Sequence, residues 1–374
     1  MNQSAIVVGA GIVGLAAARA LALKGFGVTV IERAEKAVGA SIRNFGMIWP
    51  IGQPDGPLYN RAIRSREIWK ETADAAGIWY AENGSLHIAQ HEDEWTVLKE
   101  LYESFNESGR EVSLIDPREI GSRFDGVNMK NILGGLYSAT EMVVDPRQAI
   151  SKLPAYLEER FNVQFIWGKQ VREVREGTVQ FGNERLKADI ICICSGADFE
   201  TLYPQEFEKA GITKCKLQMM RFISPEQHFR IGTSVCGGLS LAHYKSFTAA
   251  ASLPALRRRY ESELAEYMKW GIHVMVAQNE HGELTIGDSH EYGHTFEPFD
   301  RAFVNDLIKT YLDEFMQSRN WKLVESWNGI YPKMAGETDL ILNPDLGVYI
   351  INGLGGAGMT LSFGLAEEVV QTFN

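Results

Sequence analysis

The pattern of apolar and polar positions divides the chain into alternating strand-like and helix-like segments. A short apolar run at residues 5–8 leads through a glycine-rich turn into a helical stretch at residues 15–23, and a second apolar run follows at residues 28–31. Strand, helix and strand in this order predict a βαβ unit with parallel strands. Residues 188–194 form another continuous apolar run, which is typical of a parallel strand buried on both faces.

The rest of the pattern predicts more helices and a second sheet. Apolar residues at helical spacing predict helices at residues 58–76, 146–159, 254–270 and 299–315. Short strands are predicted at residues 85–89, 163–166 and 170–174, and an antiparallel sheet between residues 217 and 287, where apolar and polar residues alternate. A strand at residues 348–351, a second glycine-rich turn and a helix up to Val370 follow.

The first glycine-rich turn has the G-x-G-x-x-G spacing of dinucleotide-binding proteins. Gly9 makes the tight turn, Gly11 lets the backbone approach a pyrophosphate, and Gly14 lets the helix pack on the strand. The helix N-terminus offers free N–H groups and a partial positive charge to that pyrophosphate. Glu32 lies 18 residues after Gly14, where a carboxylate accepts ribose hydroxyls and repels a 2′-phosphate. These residues predict a bound adenine dinucleotide other than NADP.

The second glycine-rich turn, Gly353 to Thr360, narrows this prediction. Only about sixteen residues follow Gly358, too few for another βαβ unit. The N-terminus of the last helix is therefore expected to serve the cofactor that the first turn already binds.

Composition and charge exclude several classes of partner. A net charge of −11 argues against nucleic acid or an anionic membrane as the main partner. No apolar run approaches the roughly eighteen residues of a membrane helix, and the first strand begins too early for a signal peptide, so a cytoplasmic location is expected. The sequence contains no Cys-x-x-Cys pair and no Cys/His cluster in series. We therefore expect no metal site and no disulfide.

Together the motifs resemble the FAD oxidoreductases of the D-amino-acid oxidase, glycine oxidase and sarcosine oxidase family, over essentially the whole chain. Besides the two turns and Glu32, the resemblance rests on residues 39–41, 143–146, 170–174, 195–197 and 282–287. It implies a glycine-oxidase-like α/β protein with a Rossmann-like FAD-binding domain that is split in sequence. That domain is expected at residues 1–84, 142–215 and 321–374. A substrate domain with a mixed or antiparallel β-sheet and flanking helices is expected at residues 85–141 and 216–320.

The resemblance also implies which residues hold the FAD, from the pyrophosphate to the pyrimidine end of the flavin. They are Gly9, Ala10, Gly11, Ile12, Val13, Gly14, Glu32, Arg33, Ala40, Ser41, Arg43, Asn44, Phe45, Gly46, Met47, Val171, Val174, Ser195, Gly196, Ala197, Gly329, Gly355, Gly356, Ala357, Gly358, Met359 and Thr360. In sarcosine oxidases a cysteine near position 329 carries covalent flavin. Gly329 stands there in this chain, so the FAD is expected to be non-covalent.

The stretch from Gly329 to Lys333 departs from the family pattern. In glycine and D-amino-acid oxidases this stretch holds an arginine that grips the substrate carboxylate, and Tyr331 replaces it here. A tyrosine hydroxyl cannot replace a bidentate arginine, so a plain α-amino acid is disfavoured. The residues considered for substrate binding are Arg43, Met47, Trp49, Arg221, His243, Tyr244, Lys245, Tyr331 and Lys333. A solvated surface charge is the alternative for each cation, and an ordinary strand histidine is the alternative for His243.

The function implied is FAD-dependent oxidation of a small amine by hydride transfer, followed by hydrolysis of the imine and reoxidation by oxygen or another acceptor. No catalytic side chain is assigned, because the flavin carries the chemistry. Residues 43–47 and 49–54, with the missing arginine, resemble a subgroup associated with phosphonate breakdown. This implies an anionic substrate, an aminophosphonate related to 2-aminoethylphosphonate.

Other functions remain open at this point. They are an oxidase of a glycine- or sarcosine-like amino acid, a non-catalytic flavin-binding redox sensor, a nicotinamide dehydrogenase and an aromatic hydroxylase. Residues 287–290 mimic a hydroxylase signature, but the second glycine-rich turn begins more than sixty residues later instead of about ten. A homo-oligomer is also possible.

Overall fold

The computed structural model describes residues 3–373. Within this range the chain has ten α-helices: α1 Ile12–Leu23, α2 Pro57–Ala76, α3 Glu92–Glu107, α4 Pro117–Arg123, α5 Pro146–Phe161, α6 Pro204–Ala210, α7 Leu253–Glu263, α8 Ala265–Lys269, α9 Ala302–Phe315 and α10 Gly358–Gln371. The same range holds the strands β1 Ser4–Val8, β2 Gly27–Ile31, β3 Met47–Ile48, β4 Tyr80–Ala81, β5 Ser85–Ala89, β6 Val112–Ile115, β7 Gly134–Ser138, β8 Met142–Val144, β9 Gln164–Ile166, β10 Val171–Arg175, β11 Thr178–Phe181, β12 Glu184–Lys187, β13 Ile190–Ile193, β14 Thr213–Ile223, β15 Ser234–Cys236, β16 Met275–Gln278, β17 Leu284–Gly287, β18 Glu291–Gly293, β19 Lys322–Lys333, β20 Leu340–Asp345 and β21 Val348–Asn352.

A six-stranded sheet in the order β20-β21-β13-β1-β2-β9 contains the predicted βαβ unit. Its strands pair in parallel except for β20, which runs antiparallel at one edge. The central strand β1 is apolar throughout its middle, and Ala5, Ile6 and Val7 are buried. Helices α1, α2, α5 and α10 contribute to the core on one face, while the small sheet β10-β11-β12 and α6 contribute to the core on the other. This confirms the predicted Rossmann-like arrangement.

A second, nine-stranded sheet runs in the order β18-β14-β17-β16-β15-β5-β7-β6, with β19 also paired to β14. The pairs β14/β17 and β16/β17 are antiparallel, as the alternating pattern predicts. The pair β15/β5 is parallel, so the sheet is mixed. Helices α3, α7 and α9 pack on it, and α3 was not predicted although it buries Val97, Leu98, Leu101 and Phe105.

The strand β19 was also not predicted. It pairs along β14 from Thr213 opposite Lys333 to Ile223 opposite Lys322. The sequence-based boundary at residue 321 therefore separates two paired strands, and the boundary at residue 215 falls inside β14. The division into two domains stays a prediction, but β19 belongs to the larger sheet.

The prediction of one continuous helix at residues 254–270 is wrong, because the segment forms two helices, α7 and α8. It breaks between α7 and α8 at Leu264, whose φ of −120° and ψ of 35° are not helical. The Leu264 side chain packs against an apolar core there. No helix within residues 3–373 is long and apolar enough to cross a membrane. The four cysteines are free and buried.

The end of β19 brings the two sheets together. Lys333 forms an isolated antiparallel bridge with Leu354, which lies in the second glycine-rich turn. The strand that departs from the family pattern therefore runs directly to the turn that precedes α10.

Candidate active site

A cavity of about 1350 Å³ lies between the six-stranded sheet and the ends of β14 and β19. Both glycine-rich turns, Glu32, the loop before β3 and residues 328–334 line it. A pocket for one drug-sized ligand measures about 300–1,000 Å³. This cavity therefore has room for a cofactor and a substrate together.

The first glycine-rich turn has the geometry of a pyrophosphate cradle. Gly9 has a φ of +104°, and a Cβ there would lie 2.5 Å from the Cys194 carbonyl oxygen. A Cβ on Gly14 would lie 1.9 Å from the Gly9 carbonyl oxygen, so only glycine lets α1 pack this closely. The first turn of α1 holds no acidic residue, and its N-terminus faces the cavity through Gly11, Ile12 and Val13. Such an N-terminus favours an anion.

Glu32 is held at the cavity wall by main-chain hydrogen bonds. The Ala10 N–H donates to its Oε2 at 2.8 Å, and the Ala34 N–H donates to its Oε1 at 3.1 Å. Each carboxylate oxygen has a second lone pair. The carboxylate is therefore oriented and still able to accept hydroxyl groups, as a ribose requires.

The second glycine-rich turn presents another helix N-terminus to the same cavity. All six predicted residues from Gly355 to Thr360 line it, and the first turn of α10 holds no acidic residue. The Trp49 N–H donates to Thr360 Oγ1 at 2.9 Å, and Trp69 Nε1–H donates to the Met359 carbonyl at 2.7 Å. The start of α10 is thus fixed in place. Two helix N-termini on one cavity suit a pyrophosphate and the negative charge of a reduced flavin.

Asn352 links the second glycine-rich turn to the turn that contains Gly196, and the sequence analysis missed this residue. Its side chain is buried, Nδ2 donates to the Gly196 carbonyl at 3.0 Å, and Oδ1 accepts from the Gly353 N–H at 2.7 Å. An asparagine that bonds its own turn in this way favours the strand-to-turn transition. The Asn-Gly dipeptide at the end of an apolar strand was the signal that could have found it.

Four of the predicted cofactor residues do not line the cavity: Ala10, Gly14, Gly46 and Val174. Ala10 and Gly14 belong to the first glycine-rich turn but do not contact the cavity. Gly46 has a φ of +77°, and a Cβ there would lie 1.9 Å from the Val144 carbonyl oxygen, so it lets its loop run against β8. Val174 packs in the core beneath the small sheet, and Val171 takes the position on the wall. The other predicted cofactor residues all line the cavity.

The family follows from a match over nearly the whole chain. The model of the family described as "DAO: FAD dependent oxidoreductase" matches residues 4–372. The chain belongs to this DAO family of FAD dependent oxidoreductases. The residues that line the cavity fit FAD, and the predicted cofactor is confirmed at the level of the family.

Relatives of this FAD dependent oxidoreductase are distant. It is 26% identical to mouse mitochondrial sarcosine dehydrogenase over 192 residues, which are 50% of this chain and 21% of that protein. The chain thus spans about a fifth of that relative. It is 25% identical to D-amino acid dehydrogenase 2 of Mesorhizobium japonicum over 422 residues, 96% of this chain and 93% of that protein. Glycine oxidase from Bacillus cereus has the same fold, with a TM-score of 0.79, 16% identity and coverage of 99% of this chain and 94% of that one.

The end of the cavity beside β19 holds the predicted substrate residues, with one exception. Arg43, Met47, Trp49, His243, Tyr244, Lys245, Tyr331 and Lys333 line the cavity. Arg221 does not, so its predicted role in substrate binding is corrected. Its guanidinium is buried and pairs with Glu283 Oε2 at 2.9 Å.

Three of the cations on the cavity wall have no acidic partner. Within residues 3–373, no carboxylate lies within 4.0 Å of Arg43, Lys245 or Lys333, whereas Lys214 is 2.6 Å from Glu200. Arg43 and Lys245 donate only to backbone carbonyls, at 3.1 and 3.2 Å. Burial and the nearby charge of Lys245 lower the pKa of Lys333 below its usual 10.5. Three cations without an acidic partner therefore face this cavity, which Asp288 also lines.

Tyr331, which the resemblance places at the position of the family arginine, is neutral. It is buried against Cys215, Leu217 and Met219, and this burial raises the pKa of its hydroxyl well above 10.0. A Cβ on Gly356 would lie 3.8 Å from that hydroxyl. The hydroxyl thus lies beside the second glycine-rich turn, where it offers one hydrogen bond and no charge.

The fold also brings His273 together with Asp288 and His290, although no spacing motif links His273 to those two residues. His273, Asp288 and His290 line the cavity beside His243. The ring centroid of His243 lies 3.8 Å from that of His273 and 4.9 Å from that of His290. The sequence analysis weighed Asp288 and His290 only as part of a hydroxylase-like signature and did not consider His273.

Proposed function

We propose that this chain oxidises a small primary or secondary amine that carries an anionic group, yielding an imine that water hydrolyses to a carbonyl product. FAD, when bound, supplies the acceptor for the hydride that leaves the carbon beside the amine nitrogen. The predicted non-covalent FAD and its predicted contacts are part of this proposal. The electrons then pass to oxygen or another acceptor. A cytoplasmic location and a homo-oligomer stay predictions.

The observation that carries the proposal is the set of unpaired cations Arg43, Lys245 and Lys333 on the cavity wall. Arg43 and Lys333 are partly buried and Lys245 is exposed, and an anionic substrate would give these cations the partner that they lack. A hydrogen bond to a charged group contributes about 1.5–3 kcal/mol. These cations would orient the amine end of the substrate by holding its other end.

Apolar and aromatic side chains around this end of the cavity would help to exclude water. Met47, Trp49 and Tyr244 line it and offer mostly apolar surface. A dry site strengthens the electrostatic contacts within it. The chain thus binds and orients the substrate, while the redox chemistry belongs to the cofactor.

As the substrate we propose an aminophosphonate related to 2-aminoethylphosphonate, such as its N-methyl or 1-hydroxy derivative. Support comes from Tyr331, which removes the bidentate partner of a carboxylate, and from the two lysines, which act on a phosphonate as point charges. The second candidate is a glycine- or sarcosine-like amino acid. The names of the relatives, glycine oxidase, sarcosine dehydrogenase and D-amino acid dehydrogenase, favour it.

Anaerobic reduction of the purified holoenzyme tests these alternatives. Loss of the oxidised flavin absorbance is followed after addition of 2-aminoethylphosphonate, its N-methyl and 1-hydroxy derivatives, glycine, sarcosine, D-alanine and ethylamine. Reduction by a phosphonate is expected to be much faster than reduction by ethylamine, which lacks the anionic group. Reduction by glycine or D-alanine, with none by the phosphonates, contradicts the proposed substrate. No reduction by any amine favours a redox sensor.

The Tyr331→Arg variant tests the anion site directly. We expect it to gain activity toward glycine or D-alanine by tenfold or more, because a guanidinium grips a carboxylate through two hydrogen bonds. Tyr331→Phe is the matched control, since it removes the hydroxyl without adding a charge. If the arginine variant retains FAD and gains no amino-acid activity, the argument from Tyr331 is wrong.

A further inference from the structure

Flavin chemistry does not require the cluster of ionisable side chains formed by His243, His273, His290 and Asp288. One nitrogen from each histidine lies within 4.8 Å of the others. The rings of His273 and His290 are stacked, with centroids 5.0 Å apart. The four residues come from three separate segments of the chain, and all four line the cavity.

Several polar atoms in this cluster have no hydrogen-bond partner. His273 is 4% exposed, and neither of its ring nitrogens is hydrogen-bonded. Asp288 is 5% exposed, and its Oδ1 also lacks a partner although it lies 3.1 Å from His273 Nε2. Burying such atoms unpaired costs about 1–3 kcal/mol each. A ligand that satisfies them together would remove this cost.

The side chains of the cluster suit a cation. His290 Nδ1 lies 2.8 Å from the Gly271 carbonyl oxygen, which can only accept, so Nδ1 carries a proton. His290 Nε2 is the nitrogen on the side of Asp288, 3.7 Å from its Oδ2. Three imidazoles beside one carboxylate are typical ligands of a divalent transition metal.

We propose that His243, His273 and His290 bind one zinc ion at the wall of the cavity. Asp288 acts as a positioning residue, since a carboxylate beside a ligating imidazole fixes its orientation and raises its basicity. Three protein ligands leave a fourth position, which faces the cavity and accepts water or an anionic oxygen.

Binding requires the side chains to shift and to turn, because the rings of His273 and His290 are stacked and an imidazole binds a metal in its own plane. Zinc binds an imidazole nitrogen at about 2.0–2.1 Å, so two nitrogens on a tetrahedral ion are about 3.4 Å apart. Ligand atoms within 4.8 Å of one another need to close by up to about 1.4 Å. The sequence predicted no metal site, because these histidines share no spacing motif.

Metal analysis of the holoenzyme without a polyhistidine tag tests the proposal. The protein is stripped with a chelator, given zinc and desalted, and its zinc is measured by mass spectrometry. We expect about one zinc per chain for the wild type and at least a tenfold loss for His273→Ala and for His290→Ala. His281→Ala, which removes an exposed histidine outside the cluster, should keep the wild-type zinc content. FAD content verifies that each variant has folded.

Two further measurements test whether the histidine cluster itself binds the metal. Asp288→Asn, a mild change, should weaken zinc binding about ten- to hundredfold, the range for a residue that orients a metal ligand. Cobalt, substituted for zinc, should give visible bands beyond the oxidised flavin bands in the wild type and not in His273→Ala. A wild-type protein that holds no more zinc than His273→Ala overturns the proposal. No amine is present in these experiments, so their outcome is independent of the proposed substrate.

Discussion

The charge of Lys333 is expected to lower the stability of the fold and to strengthen the binding of an anionic amine, and replacing Lys333 by methionine tests both effects. Methionine has a similar length and no charge, so the packing of the stem is largely kept. The ammonium group lies beside the second glycine-rich turn, because a Cβ on Gly355 would lie 3.5 Å from its Nζ. We expect the variant to be more stable than the wild type and a poorer enzyme for anionic amines.

The size of the catalytic effect follows from the hydrogen bond that is lost. A bond to a charged group contributes about 1.5–3 kcal/mol, which corresponds to about a ten- to hundredfold decrease in kcat/KM. The assay compares 2-aminoethylphosphonate with ethylamine, which carries the same amine and no anion. Only the phosphonate should lose activity. Lys214→Met is the matched control, because Lys214 lines the same cavity but is paired with Glu200.

The pH dependence has a definite sign. The pKa of Lys333 is lower in the folded chain than its usual 10.5, so the unfolded chain binds this proton more tightly. The charge therefore destabilises the fold at neutral pH, and this effect disappears as the pH rises toward 10.5. The advantage of the wild type on the phosphonate should be largest at neutral pH and vanish as Lys333 loses its proton. Equal losses on both amines would refute the reasoning, as would a lower Tm for the variant.

Two other substitutions test the cofactor cradle. Gly14→Ala places a methyl group 1.9 Å from the Gly9 carbonyl oxygen, so we expect the variant to lose about 1–3 kcal/mol of stability and most of its bound FAD, measured by flavin absorbance. Gly27→Ala is the control, because nothing lies within 4 Å of its new methyl group, and its FAD content should be unchanged in the same assay. Thr360→Val removes the buried acceptor of the Trp49 N–H and should cost about 1–3 kcal/mol in urea unfolding; an unchanged midpoint would show that this hydrogen bond contributes nothing.

The parts of the site that were predictable are those with a local signal. Gly9, Gly14 and Glu32 lie in one short βαβ unit, where strand, turn and helix patterns support one another. The second turn was equally readable, because Gly355 and Gly358 follow an apolar strand directly. In such segments the geometry depends on residues that are close in sequence.

The strand β19 and the histidine cluster depend on long-range pairing and left no such signal. The first five residues of β19 are exposed, so they show no alternation of buried and exposed positions. Its partner β14 lies about a hundred residues earlier. His243, His273 and His290 come from separate segments that only the folded sheet brings together.

The error at Arg221 has a simple geometric cause. Leu217 and Met219 line the cavity, and Arg221 follows on the same face of β14. Two residues along a strand are about 6.6 Å, which carries Arg221 past the end of the cavity to Glu283. Arg221 was considered only as a cation that could bind an anionic substrate, and the sequence contains no measure of its distance from the cavity.

The six-stranded sheet has a consequence for how this protein is made. Its centre joins Ser4–Val8 to Ile190–Ile193, which in turn pairs with Val348–Asn352. At a synthesis rate of about 5–20 residues per second, Ile190–Ile193 waits roughly 8–32 seconds for its partner Val348–Asn352. During that time one edge of this apolar strand lacks its partner, and one wall of the FAD cavity does not yet exist. We therefore expect the complete FAD site to form late in the synthesis of the chain.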